Sequence, residues 1–199
     1  MPFFTIIVPN VPAEKKDQFL AAWPTLAADL KSQPGVAGVS AGPVVAEDGA
    51  AVTEFKFIQC IAFKTAEDAE TFASSEWAQQ HKARYEERAG GEPVVGRFEV
   101  EDFPADASPK AFTQFSTVVL SDDGQHVQVR TAWSSLVSAL GKDTWGGRSI
   151  GGGPSVGLGL IGWDSLEEAG AAYQAPEAAH ALATYRSLGH TKNLMVQMQ

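Results

Sequence analysis

Two residues in the last thirty, Tyr173 and His180, are of types that can move protons. An imidazole takes up a proton near neutrality, with an ordinary pKa of about 6.5, so His180 reads as a general base. Tyr173 would orient that imidazole, or donate a hydrogen bond to a carbonyl on its way to an enolate. Their separation is about two turns of helix, which lets the side chains share a face, although Pro176 between them disturbs a helix. The plainer alternative leaves His180 on a helix surface and packs Tyr173 in a core. A weaker pair, Phe72 with His81, stands earlier in the chain. It lacks the phenol, so the later pair is the better candidate.

Other chemistry is poorly supported. The four histidines, His81, His126, His180 and His190, show no metal-ligand spacing, and Cys60 has no second cysteine to join it. No metal and no cofactor are expected; a haem would need an axial histidine such as His180 or His190, with nothing specific to support it. Cys60 sits in the apolar run Phe57-Ile-Gln-Cys-Ile-Ala-Phe63 and reads as a buried structural thiol. Gly157-Leu-Gly-Leu-Ile-Gly162 satisfies G-x-G-x-x-G, but a dinucleotide loop belongs in the turn after a parallel strand, and these glycines fall within a strand. Gly151-Gly-Gly-Pro154 is a hairpin connection before it is a phosphate nest. No nucleophile elbow is visible.

Charge narrows the partners. With 24 acidic against 15 basic residues the net charge is −9, and no basic stripe could displace the counterions of a nucleic acid. The uncharged run Ser149 to Trp163 is glycine-rich and shorter than the ~20 apolar residues that span a bilayer. Met1-Pro-Phe-Phe-Thr-Ile-Ile-Val8 has no basic region and reads as a strand, not a leader. A cytoplasmic protein with a small-molecule partner is expected.

The elements that must position these residues come from a repeat. Ala22-Trp-Pro-Thr-Leu-Ala-Ala-Asp-Leu30 aligns with Ala132-Trp-Ser-Ser-Leu-Val-Ser-Ala-Leu140, and Phe63-Lys-Thr-Ala-Glu-Asp-Ala69 aligns with Trp163-Asp-Ser-Leu-Glu-Glu-Ala169. Matches in the same order imply two copies of one unit, residues 1–101 and 111–199, with a proline- and acid-rich linker over 102–110. Within the first copy the pattern predicts a strand at 3–8, a helix at 13–32 and strands at 36–45 and 52–63. A second helix, capped by Thr65 and Asp68, and a strand at 94–100 complete it. The second copy repeats this with strands at 112–120, near Arg148, at 156–163 and at 193–197. Its helices span 125–140 and a segment capped by Ser165 and Glu168 and broken at Pro176.

Each copy is thus βαββαβ, the ferredoxin-like arrangement, in an α+β chain. The bare face of one sheet would be covered by the other, making a barrel within a single chain with the helices outside. Comparing the copies, Gly157 and Gly159 stand where the first has Phe57 and Gln59. Residues two apart in a strand share a face, so the second copy has lost two large side chains there. Either a groove results, or Trp133, Trp145 or Trp163 fills it.

These features resemble the dimeric α/β-barrel superfamily, in its stress-responsive and antibiotic-biosynthesis-monooxygenase-like branches, taken as two fused copies. Gly162-Trp-Asp-Ser-Leu-Glu-Glu168, Tyr173-Gln-Ala-Pro-Glu-Ala-Ala-His180 and Tyr185-Arg-Ser187 carry the resemblance. They look like the corresponding segment of the plant polyketide cyclases, with a residue's difference in spacing. The resemblance implies a cofactor-independent cyclase, lyase or oxygenase acting on an aromatic or polyketide-like molecule. His180 and Tyr173 would be catalytic, and Trp133, Gly157, Gly159, Trp163 and Tyr185 would bind substrate. The alternative it allows is a non-catalytic stress-responsive binding or structural protein. One chain would close the barrel as a monomer, and further pairing into a homodimer is compatible with an acidic surface.

Overall fold

The run Phe57–Phe63 is buried along its whole length. A strand alternates its side chains between two faces, so a continuous apolar run is explained only if both faces are covered. Phe57, Ile61 and Phe63 belong to a core shared with helices, and Ile58, Cys60 and Ala62 to a core made of strands. That two-sided burial sets the architecture. The computed structural model describes residues 2–88, 90–101, 110–120, 123–151 and 153–199.

In the first half, β1 (Phe3–Val8) leads to α1 (Lys16–Lys31), then β2 (Val36–Glu47), a short β3 (Ala50–Ala51) and β4 (Phe57–Phe63). Helices α2 (Ala66–Ser74) and α3 (Glu76–Arg88) and strand β5 (Val94–Glu101) follow. The second half runs β6 (Phe112–Leu120), α4 (His126–Leu140), β7 (Thr144–Ser149), β8 (Val156–Trp163), α5 (Leu166–Gln174), α6 (Pro176–Arg186) and β9 (Gly189–Gln197). The predicted linker lies almost wholly outside the described residues.

All strand pairs are antiparallel, in the order β3-β2-β4-β1-β5-β7-β8-β6-β9, and β9 pairs back onto β2 to close an eight-stranded barrel flanked by the short β3. Two seams join the halves, β5 to β7 and β2 to β9. Both need a residue without a side chain. A Cβ on Gly42 would sit 1.9 Å from the Gln197 carbonyl oxygen, and one on Gly147 the same distance from that of Glu99. Phe4, Val44, Ile58, Val100, Phe115, Trp145, Leu160 and Val196, one from each barrel strand, converge in the lumen. Outside, α1 to α3 cover one half around Trp23 and Leu30, and α4 to α6 cover the other around Leu136 and Tyr185.

Three local differences from the sequence expectation have physical reasons. The strand expected at 52–63 begins only at Phe57, because Asp48 and Gly49, at φ +48° and +87°, turn the chain into the tiny β3 before it and the ladder resumes only there. The second helix of the first half is broken as its counterpart is, at Ser75, whose hydroxyl accepts from the Ala78 amide and so caps α3. No proline marked it. Strand β9 starts at Gly189, four residues before the expected start, because β6 is long enough to pair with all of it. The capping pairs form as read: Thr65 and Ser165 accept from the amides of Asp68 and Glu168, each at 3.1 Å.

Candidate functional site

Tyr173 is on α5 and His180 on α6, separate helices that turn at Ala175, where Pro176 takes the first position of α6. The inner face of α6 carries Ala178, Ala181, Leu182 and Tyr185. Counting 3.6 residues per turn, His180 projects from the opposite face, and it is exposed. Tyr173 turns inward. Its hydroxyl lies across the side-chain amide of the buried Gln114, 2.8 Å from Nε2 and 3.1 Å from Oε1. Gln114 Oε1 also accepts from the Trp163 indole at 3.2 Å, and Nε2 donates to Asn193 Oδ1 at 3.3 Å. Burial raises the Tyr173 pKa, against smaller opposing effects of Gln114 and Arg186. The phenol is a fully engaged member of a buried polar network, and the structure does not bring His180 to it.

The remaining expected binding residues pack against one another. Trp163 is wholly buried, Tyr185 nearly so, and burial pushes the Tyr185 phenol up to about 12. Trp133 lies over Gly159, where a Cβ would meet its ring at 2.2, 2.5 and 2.7 Å, and its ring centroid is 5.4 Å from that of Tyr185. A Cβ on Gly157 would meet Val118 at 3.0 Å. The expected groove is therefore occupied: the first half fills this layer with Phe57, T-stacked on Trp23 at 5.3 Å, and the second fills it with Trp133 itself. In the first half, His81 stacks on Trp77 at 5.0 Å, and burial followed by the Arg84 charge lowers its pKa.

An open space of about 550 Å³ lies elsewhere, in the barrel lumen, at the end where β1, β2, β6 and β7 begin and β4, β8 and β9 finish. Its origin is a taper in the inward-facing side chains. Toward this mouth β4 presents Ile58, Cys60 and Ala62, β8 presents Leu158, Leu160 and Gly162, and β2 presents Val44, Gly42, Ser40 and Gly38. As the side chains shrink, the walls part. One wall is aromatic, with Phe4 and Trp145 at 5.2 Å between centroids. The other carries the hydroxyls of Ser40 and Thr113 on either side of Met198. Cys60 contributes a thiol whose pKa burial pushes up to about 12, so it stays protonated and is a poor nucleophile.

Among the described residues, the charged side chains that line the cavity, Lys110, Lys142 and Asp143, stand at its rim. Lys110 lies across Gly162 and donates to Asp164 at 3.0 Å. Lys142, placed just past the end of α4, pairs with Glu168 and sits 5.0 Å above the Trp163 ring, with Asp143 beside it. The salt bridge, followed by the Asp164 backbone amide, lowers the Glu168 pKa. Among the described residues no group of three or more His, Cys, Asp and Glu side chains could hold a metal, and no helix is long and apolar enough to cross a membrane.

No protein-family model matches the sequence, and no curated protein matches it. Solved structures do. A candidate monooxygenase of Fusobacterium nucleatum superposes with a TM-score of 0.70 at 9% identity, over 99% of this chain and 92% of the other. A second candidate monooxygenase, from Lactobacillus acidophilus, gives 0.63 at 11% identity over 99% and 93%. The chain has the dimeric α/β-barrel fold. An anthrone oxidase-like protein also shares this fused barrel, with a TM-score of 0.62 at 15% identity over 100% of this chain and 92% of that one. At such identities the fold is what is shared.

Gly157 and Gly159 draw attention to the outward face of β8, whereas the open space lies on the inward one. The signal was present: Ile, Cys, Ala and Leu, Leu, Gly at alternate positions of two strands read as a narrowing series once the lumen is known to be their common side.

Proposed function

We propose that the protein binds a flat, largely apolar small molecule in the tapered end of its barrel lumen and converts it without a resident cofactor, as an oxygenase, cyclase or lyase. The cavity carries this reading. Its volume falls within the ~300–1,000 Å³ of small-molecule sites, and an aromatic wall facing a few polar groups is the usual lining of such a site. A planar ligand would stack on Trp145 and Phe4, shielded from water on all sides but the mouth. Asp143 and Lys142 at the rim are the groups placed to exchange a proton with a ligand reaching the opening. The catalytic half of the reading is supported by the names of the structures that share the fold, candidate monooxygenases and an anthrone oxidase-like protein.

A second reading, binding without catalysis, is favoured by one observation. Below the rim the wall offers hydrocarbon, hydroxyls and a thiol held protonated, none of them a base near neutral pH.

The test uses three forms of the protein: wild type, Ala62→Leu, which narrows the cavity toward its mouth, and His180→Ala. Binding of a panel of planar aromatic ketones and phenols is measured by calorimetry, and turnover by oxygen uptake and product analysis in cofactor-free buffer. Loss of binding and turnover in Ala62→Leu with both retained in His180→Ala is expected. The reverse pattern would overturn the lumen site in favour of the His180 and Tyr173 pair, and binding without turnover across the panel would favour the second reading.

A further inference from the structure

Thr113 is 5% exposed and faces the lumen from β6, and Ser40, half-buried, faces it from β2. Both line the cavity, and among the described residues neither hydroxyl has a hydrogen-bond partner. The neighbouring outward-facing Gln114, equally buried, has three. Each hydroxyl opens onto the cavity, where it can donate to or accept from whatever enters. The main chain around this pair is already engaged: the Met198 amide donates to the Ala111 carbonyl and the Gln199 amide to that of Ala41. Whatever satisfies the two hydroxyls must come from within the cavity. The wall across the lumen, Phe4 with Trp145, is aromatic and offers a face for stacking.

We propose that Thr113 and Ser40, one from each half of the chain, recognise an oxygen atom on the edge of the ligand, so that the pocket selects planar aromatic molecules bearing a hydroxyl or carbonyl over hydrocarbons of the same shape. A hydroxyl can donate to a ligand carbonyl or accept from a ligand phenol, so either oxygen is served. Stacking on Trp145 fixes the plane of the molecule, and the hydroxyl pair fixes its rotation within that plane. Each half supplies one residue to each wall, Phe4 and Ser40 from the first and Trp145 and Thr113 from the second, so the ligand position depends on both. The inference rests on the lumen site proposed above.

The experiment compares 2-naphthol with 2-methylnaphthalene, which are nearly identical in shape and differ in the hydroxyl. Calorimetric or fluorescence titration of the wild type should show 2-naphthol binding about 3- to 10-fold tighter, the range of one or two net hydrogen bonds. Thr113→Val, which keeps the shape, should bring the ratio close to one through weaker naphthol binding, and Thr113→Ser should restore it. Ser40→Ala should reduce the ratio and serves as the independent variant if Thr113→Val folds poorly. An unchanged ratio in both variants, or an equal loss for both probes, overturns the proposal. Equal binding of both probes by the wild type, abolished in Ala62→Leu, overturns it while leaving the lumen site standing. Binding that survives Ala62→Leu overturns the lumen site and this proposal together.

Discussion

Replacing Gly159 with alanine should destabilise the protein through a single, identifiable collision. The added methyl would stand 2.2 to 2.7 Å from three atoms of the Trp133 ring, where carbon atoms in contact keep about 3.5–4.0 Å. The ring is rigid and backed by Tyr185, so it cannot swing clear as a flexible side chain would. Overpacking of this kind costs about 1–3 kcal/mol. In a chain of this size each kcal/mol lowers the melting temperature by about 2–4 °C. Trp133→Leu alone should also destabilise, through lost burial. Combined, the two changes should cost little more than Trp133→Leu, because the alanine methyl enters space that the indole has vacated. The coupling, of about 1–3 kcal/mol, is measured by a double-mutant cycle in urea with far-ultraviolet circular dichroism as the readout. A Gly159→Ala variant within about 0.5 kcal/mol of wild type, or strict additivity of the two changes, would refute the claim that Trp133 fills the layer.

Four further outcomes follow from the same geometry. Gly42→Ala, which drives a methyl into the Gln197 carbonyl at the seam, should cost about 2 kcal/mol or more by urea denaturation, since backbone rather than a side chain must move. Gln114→Leu strands the Trp163 indole and the Tyr173 phenol and should cost about 1–3 kcal/mol, whereas Tyr173→Phe leaves Gln114 two partners and should cost less in the same assay. Cys60, with its thiol held near 12, should react slowly with a disulfide reagent at pH 8 until urea unfolds the chain, and a lumen ligand should slow the native reaction further. Glu47 is bound by Lys192 and Lys56, and these bonds lower its pKa from 4.5. Its contribution is therefore present above that ordinary value and lost as the pH falls through the lower folded value, so Glu47→Gln should flatten the acid limb of a stability–pH profile.

Much of the fold was legible because the repeat and the strand alternation point to the same answer. Phe3–Val8 and Phe112–Leu120 are strands over the residues read from sequence, and Thr65 and Ser165 cap the helices they were expected to cap. Barrel closure within one chain followed from the bare sheet faces, and the seams bear it out. The site was less legible. Two glycines replacing Phe57 and Gln59 announce missing volume, but only packing tells whether a neighbour moves in, and Trp133 does. His180 and Tyr173 share a face only if one helix runs through both, and the turn at Ala175 rotates one away from the other. The break at Ser75 had no proline to announce it, since a serine that caps a new helix can be read equally as part of an old one.

The hairpin tip at Asp48 and Gly49 has a consequence for how the chain comes together. Asp48 Oδ1 accepts from the Asn193 amide at 2.9 Å, and the Asp48 amide donates to the Asn193 carbonyl at 2.8 Å, across 145 residues of sequence. Loop closure on that scale is slow, and the strand it secures, β9, is made after the other barrel strands. Until then the first half waits with an unpaired β2 edge and an uncovered inner face, a template for other chains. Shortening β9 would hold the protein in that state, and synthesis at high concentration would select for aggregation before it selected for folding.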